Sequence, residues 1–305
     1  MNATKLKQAA TKLGKLEGVV GVFWGHHTVG GEWMPEPKLV VHVKGKRRLA
    51  SLPRGERIPS RVHGFATDVM EVGVPRVHQL DAHDQAEGSY ERVSTITAVA
   101  SYQGSSLVLT SGHGVSPFRG TNMVRRIDPT DARERYAIRD FNGVRIAAEI
   151  IKARLANGWS LDYALASAAE SEPLESHRAN DRRPPFAIRR SALSFGDRVS
   201  HYSTLRHRRI DGSIEQVALD ETSFSMPYPE TREGRYQRVM VIRNDGATRF
   251  SEPGDSGSMI VDWTGEVVGT VLGSSDGADI AYALPIAGLR GQLDEWATVF
   301  FKDGE

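Results

Sequence analysis

The chain has 305 residues, enough to bury a sizeable core, and its length suggests about two domains. With 39% hydrophobic and 25% charged residues it has the composition of an ordinary folded protein, so disorder is set aside, and a net charge of +1 gives no global attraction to nucleic acid or to an anionic membrane. It has no cysteine, which excludes disulfides, zinc–thiolate sites and a cysteine nucleophile and fits a reducing compartment.

The start of the chain lacks the apolar core of a signal peptide, and no run of about 18 apolar residues occurs, so a cytoplasmic location and no membrane contact are expected. From Asn2 to Leu16 the residues Leu6, Ala9, Ala10, Leu13 and Leu16 recur at helical spacing among lysines, which predicts an amphipathic helix. Gly18 to Trp24 reads as a strand, the polar Gly25 to Pro37 as a loop, Lys38 to Val43 as a second strand and Thr67 to Val72 as a third. Arg57 to Gly64 reads as a connecting turn. These elements make a small α/β domain of residues 1–75. Arg76 to Arg92, with Asp81, His83, Asp84, Glu87 and Gly88, is polar enough to be a linker.

Beyond it, over residues 93–305, short β-type runs alternate with turn residues: Val93 to Ala100, Ser106 to Thr110, Val144 to Ile151, Tyr163 to Ala168, Arg198 to Tyr202, Ile214 to Ala218, Arg238 to Ile242, Met259 to Val261, Val267 to Leu272 and Ile280 to Ala283. Many short strands at this spacing predict a barrel or sandwich. Pro285 to Phe300 reads as a closing helix, with proline near its first turn.

Three stretches carry chemistry. The turn Glu252-Pro253-Gly254-Asp255-Ser256-Gly257-Ser258 leads into the apolar Met259-Ile260-Val261 and is built to present a serine, with Gly257 leaving a substrate room beside the main chain. In such a turn the amides of Gly254 and Ser256 can face one concavity and bind a developing oxyanion. An ordinary hairpin loop uses the same residue types. The apolar run Ser106 to Thr110 ends in Ser111-Gly112-His113, which puts a histidine at the mouth of a strand. The stretch Ser160-Leu161-Asp162-Tyr163-Ala164-Leu165-Ala166 draws one acid toward the interior, where it needs a partner. Taken singly, His113 also reads as a strand-end histidine and Asp162 as a cap.

In the order His113, Asp162, Ser256, these motifs resemble the chymotrypsin-like serine proteases, over about Val93 to Trp296. The resemblance implies two six-stranded antiparallel barrels with the catalytic groups between them, a nucleophilic Ser256, a general base His113 and an orienting Asp162. It puts Phe250 at the base of the primary specificity pocket and Leu272-Gly273-Ser274 on its far wall, and a phenyl ring there implies an uncharged residue before the cut. The N-terminal residues, with Ile58-Pro59 and Thr67-Asp68-Val69, are similar to a segment that precedes the protease domain in certain intracellular trypsin-like proteins of bacteria and plants. In the family the acid before the nucleophile often pairs with a new amino terminus. No Ile-Val-Gly-Gly-like start occurs near Val93, so Asp255 is expected to pair with a side chain or main-chain amides.

The function expected is therefore a serine endopeptidase acting on protein or peptide, with the N-terminal domain as a docking element for a regulatory or assembly partner. A catalytically silent peptide-binding module and a serine esterase are the alternatives. The pairs His26-His27, His78 with His83 and His201 with His207 lack convergent metal-ligand partners, so no metal is expected. Lys44 to Arg48 and Arg206 to Arg209 read as solvated basic loops rather than nucleic-acid sites, and no glycine loop implies a cofactor.

Overall fold

The computed structural model describes residues 2–30, 32–77, 80–83, 90–93, 95–115, 135–139, 145–155, 162–169, 184–203, 206–218, 224–227, 233–246, 248–293 and 296–302. Of the residues named above, His78, Asp84, Glu87, Gly88, Val144, Ser160 and Leu161 lie outside them.

The helix α1 (Ala3–Leu13) starts where the Asn2 side chain accepts the Lys5 amide at 3.0 Å, and it buries Leu6, Ala9, Ala10 and Leu13. Next come β1 (Val19–Val29), β2 (Glu32–Val43), β3 (Arg61–Val62), β4 (Phe65–Glu71) and β5 (Pro75–Val77), then a hairpin of β6 (Leu80–His83) and β7 (Tyr90–Val93). A five-stranded antiparallel sheet follows from β8 (Ile96–Tyr102), β9 (Ser105–Thr110), β10 (Arg135–Arg139), β11 (Arg145–Leu155) and β12 (Asp162–Ala169), in the order β10-β11-β12-β9-β8. The short helix α2 (Gly112–Val115) leaves β9.

The remaining strands are β13 (Arg198–Ser203), β14 (Arg208–Ala218), β15 (Phe224–Pro227), β16 (Glu233–Tyr236), β17 (Met240–Asn244), β18 (Met259–Asp262), β19 (Val267–Ser275) and β20 (Ile280–Pro285). The order β13-β18-β19-β20-β17-β14, with β14 pairing back to β13, closes a six-stranded antiparallel barrel. Inside it pack Ile214, Met240, Ile242, Ile260 and Val271. A second core joins the two sheets: Leu107, Leu109 and Leu165 meet Met259 and Val261, and the chain end closes over them with Ile286, Leu289 and Phe300.

The chain is thus mainly β, and each of the runs read as strands beyond Val93 holds one. Three expectations need correction. Gly25 to Pro37 is not a loop: β1 and β2 continue through it as a hairpin, with Thr28 opposite Trp33. The polar residues that suggested a loop have partners there, since His26 Nδ1 meets Glu215 at 2.6 Å and His27 Nδ1 meets the Glu36 carbonyl at 3.2 Å. Residues 76–92 hold β6, β7 and most of β5 rather than a plain linker. The closing helix is two short pieces, α3 (Ile286–Arg290) and α4 (Ala297–Phe300), the first ending at Gly291. Among the described residues the first sheet shows five strands.

The N-terminal strands are continuous with the barrel. β1 pairs with β14, β2 with β1, and β4 runs parallel to β2. One apolar cluster spans both parts, with Val20, Phe23 and Val72 against Leu272, Tyr282 and Leu284. His42 on β2 ties them further. Gln216 Nε2 donates to the His26 carbonyl at 2.9 Å, so its Oε1 faces His42 and accepts the Nε2 proton at 2.8 Å. His42 Nδ1 then accepts from the Tyr282 hydroxyl at 3.2 Å. Burial pushes His42 from its ordinary 6.5 down to about 3 and raises Tyr282 well above its ordinary value, so both stay uncharged. No helix among the described residues is long and apolar enough to cross a membrane.

Candidate functional site

His113, Asp162 and Ser256 come together from three elements: the first turn of α2, the start of β12 and the turn before β18. Asp162 grips His113 twice, accepting its backbone amide at 2.9 Å on Oδ1 and its Nδ1 on Oδ2. An ionised carboxylate only accepts, so Nδ1 carries the proton and Nε2 is left as the acceptor. Nε2 lies 2.7 Å from Ser256 Oγ. The hydroxyl has one proton and two acceptors in reach, the second being the Leu272 carbonyl at 3.0 Å. All three residues are buried, Ser256 at 0% exposure. The expectation of a serine presented at the surface is therefore corrected: the turn is folded inward between the two sheets.

What holds the turn there is β8 and the residue before it. Thr95 donates its amide to the Ser256 carbonyl at 2.8 Å and its hydroxyl to the Gly254 carbonyl at 2.7 Å, and Thr97 Oγ1 donates to the Gly257 carbonyl at 2.6 Å. Two threonines two residues apart face the same way on an extended chain, so both reach the turn. Gly257 has φ +85°, and a Cβ there would stand 2.6 Å from the Thr95 carbonyl and 3.0 Å from the Ser111 amide. Its bareness makes room for the neighbouring sheet, not for a substrate. Among the described residues the amides of Gly254 and Ser256 donate to nothing, whereas Asp255, Gly257 and Ser258 donate to Glu252, Val271 and Asp255 carbonyls.

Asp255 is wholly buried and paired, as expected, with a side chain and a main-chain amide. Oδ2 accepts from Arg206 Nη2 at 3.0 Å and from the Glu252 amide at 2.9 Å, and Oδ1 accepts the Ser203 hydroxyl at 2.7 Å. Arg206 also donates to the Arg249 and Phe250 carbonyls at 2.7 and 3.1 Å. His201 lies alongside, its Nε2 donating to the Phe250 carbonyl at 2.6 Å. Burial pushes His201 below its ordinary value, against the pull of the Asp255 charge.

The chain resembles several solved structures of proteases. They include the Rv3671c protease of M. tuberculosis in its active form, at 19% identity and TM-score 0.44 over 74% of this chain and 80% of that one. Cellulomonas bogoriensis chymotrypsin matches at 15% identity and TM-score 0.39, over 72% and 94% of the two chains. Thermobifida fusca Protease A matches at 13% identity and TM-score 0.41, over 72% and 95%. No protein-family model matches the chain. No curated protein matches it.

The expected specificity pocket does not form as read. Phe250 is 1% exposed, its ring tilted against His201 at 4.8 Å inside the barrel, so it cannot meet a substrate side chain. Leu272 is buried in the core shared with β1 and β2. Gly273 and Ser274 pair with Val77 and Arg76 of β5 on one side and with Tyr282 and Ala281 on the other. The preference for an uncharged residue before the cut loses its basis with Phe250. Thr95, Thr97, Ser203 and Arg206 were missed; only the Thr-x-Thr alternation was a signal in the sequence. Among the described residues no group of histidines and carboxylates is arranged to hold a metal.

Proposed function

We propose that the chain is a serine endopeptidase acting through His113, Asp162 and Ser256. The observation that carries this reading is the 2.7 Å approach of His113 Nε2 to Ser256 Oγ, with Asp162 on the opposite ring nitrogen. In the proposed reaction His113 takes the Ser256 proton as Oγ attacks the scissile carbonyl, and the negative oxygen turns to the amides of Gly254 and Ser256. His113 then gives its proton to the leaving amine, an acyl-serine remains, and water attacks it by the same proton route. Asp162 keeps the imidazole in one tautomer and offsets its positive charge. These steps use no cofactor. The substrate class proposed is protein or peptide, and the N-terminal segment is the proposed contact for a regulatory or assembly partner.

Complete burial of Ser256 favours one competitor, a silent module that grips peptide without cutting it. Fluorophosphonate treatment of the full chain decides between them. Mass spectrometry is expected to find the adduct on Ser256, with labelling reduced at least about a hundredfold in His113→Ala. A folded chain with Ser256 unmodified overturns the endopeptidase reading. Turnover of esters without cleavage of any peptide bond indicates an esterase instead.

A further inference from the structure

One side of β19 carries three different partners in succession. Residues up to Thr270 pair with β18, and Val271 exchanges hydrogen bonds with Gly257 and Ser258 of the serine turn at 2.9 and 3.0 Å. The Leu272 carbonyl lies 3.0 Å from Ser256 Oγ. From Gly273 to Ser275 the partner is β5: Gly273 faces Val77, Ser274 faces Arg76 and Ser275 faces Pro75, antiparallel. Because β20 holds the other side of Gly273 and Ser274, β5 lies on the side of β18 and the serine turn.

We propose that β5 is an intramolecular occupant of the edge on which a polypeptide substrate docks, so that it must leave before such a substrate is cut. The proposal rests on the endopeptidase reading for its chemistry. An extended peptide binds a sheet by adding a strand to an open edge. The edge beside Ser256 is β19 from Leu272 onward. A peptide laid there antiparallel, with one residue opposite Gly273, brings its next residue opposite Leu272 and so to Ser256 Oγ. β5 has this direction and this register, with Val77 opposite Gly273. A substrate and β5 cannot both make the same ladder.

The segment is anchored at its start, and beyond that, among the described residues, Pro75 is buried, Arg76 is exposed and β5 lies beside β15. Val72 is fully buried, its carbonyl accepts from the Ser275 hydroxyl and from the Gly277 amide at 3.1 Å, and Gly73 turns at φ +65° against Gly277. A Cβ on Gly277 would stand 2.8 Å from the Gly73 amide, so the two backbones are in close contact. Past this pivot the ladder is, among the described residues, three residues long and includes Pro75, which has no amide proton to give. Among the described side chains Arg76 Nε meets Asp276 at 2.7 Å, between groups 69% and 43% exposed, and a pair so wet contributes little. A short ladder on a fixed pivot opens without unfolding the barrel.

Two measurements on the full chain test this. Hydrogen exchange is expected to show whichever of the Arg76 and Val77 amides donates to β19 exchanging by local opening at least about a hundredfold faster than β20 amides that face β17. Exchange of both sets only through global unfolding overturns the proposal, whatever the chemistry at Ser256. The second is a lock. Arg76 and Ser274 stand directly opposite, within disulfide reach, and the chain has no other cysteine to interfere. In Arg76→Cys/Ser274→Cys, oxidation is expected to slow cleavage of fluorescein-labelled casein at least about tenfold, and a reductant to restore it. Equal casein cleavage by the oxidised and reduced forms overturns the proposal. Failure of the endopeptidase reading looks different: no Ser256 adduct in the unaltered chain, with the exchange result unaffected.

Discussion

Asp255 is the residue whose charge is most fully withdrawn from solvent at the site, and Arg206 answers it with a single guanidinium that also satisfies two carbonyls. Removing one partner of a buried pair strands the other. Arg206→Met is therefore expected to lower stability by about 3–5 kcal/mol in urea denaturation, and to slow Ser256 labelling because the turn loses its tether. Arg206→Lys is expected to recover only part, since an ammonium cannot fork to Asp255 and the carbonyls together. Unchanged stability in Arg206→Met would mean that water or another cation reaches Asp255. His113, Asp162 and Ser256 were legible because each sits in a short motif whose neighbours suit only a few purposes. Arg206 was not, since its partner is 49 residues away and its own neighbours read as a solvated basic loop. Phe250 was misread for a related reason: counting back from Ser256 gives a position along the chain, not the direction in which a loop side chain points.

At the scale of elements, the strands after Val93 were legible from their short apolar runs, and α1 from its spacing. The β1–β2 hairpin was not, because its outer half is written in histidine, proline and glutamate, and only tertiary partners make that composition compatible with strands. Trp33 illustrates this: it lies under the Arg243 guanidinium at 5.7 Å, and Arg243 also pairs with Glu215 at 3.0 Å. The same pairing argues against independence of the N-terminal residues. A chain shortened to residues 93–305 loses the strand that pairs with β14 and uncovers Tyr282 and Leu284. It is expected to aggregate or to give no cooperative melt, read by size-exclusion chromatography and circular dichroism. A soluble, cooperatively melting product would make the N-terminal segment an appendage.

Across the whole molecule, His42 couples the seam between these parts to pH. Unfolded, its imidazole binds a proton below about 6.5; folded, it resists until about 3. Its contribution is complete above about pH 6.5 and is lost as pH falls toward 3, at up to about 1.4 kcal/mol per pH unit. The shift at His201 acts in the same sense. Urea melts at about pH 7, 5.5 and 4 are expected to show this decline and a shallower one in His42→Gln, whose side chain does not titrate; equal slopes would place the acid sensitivity elsewhere. The seam has a further consequence, for synthesis. Glu215 on β14 meets His26 on β1 across 189 residues of chain, so on a ribosome β1 and β2 emerge long before the strand that completes their sheet. Until then the nascent hairpin carries Phe23 and an unpaired edge with nothing to cover them, which makes this the stretch most in need of a chaperone's hold.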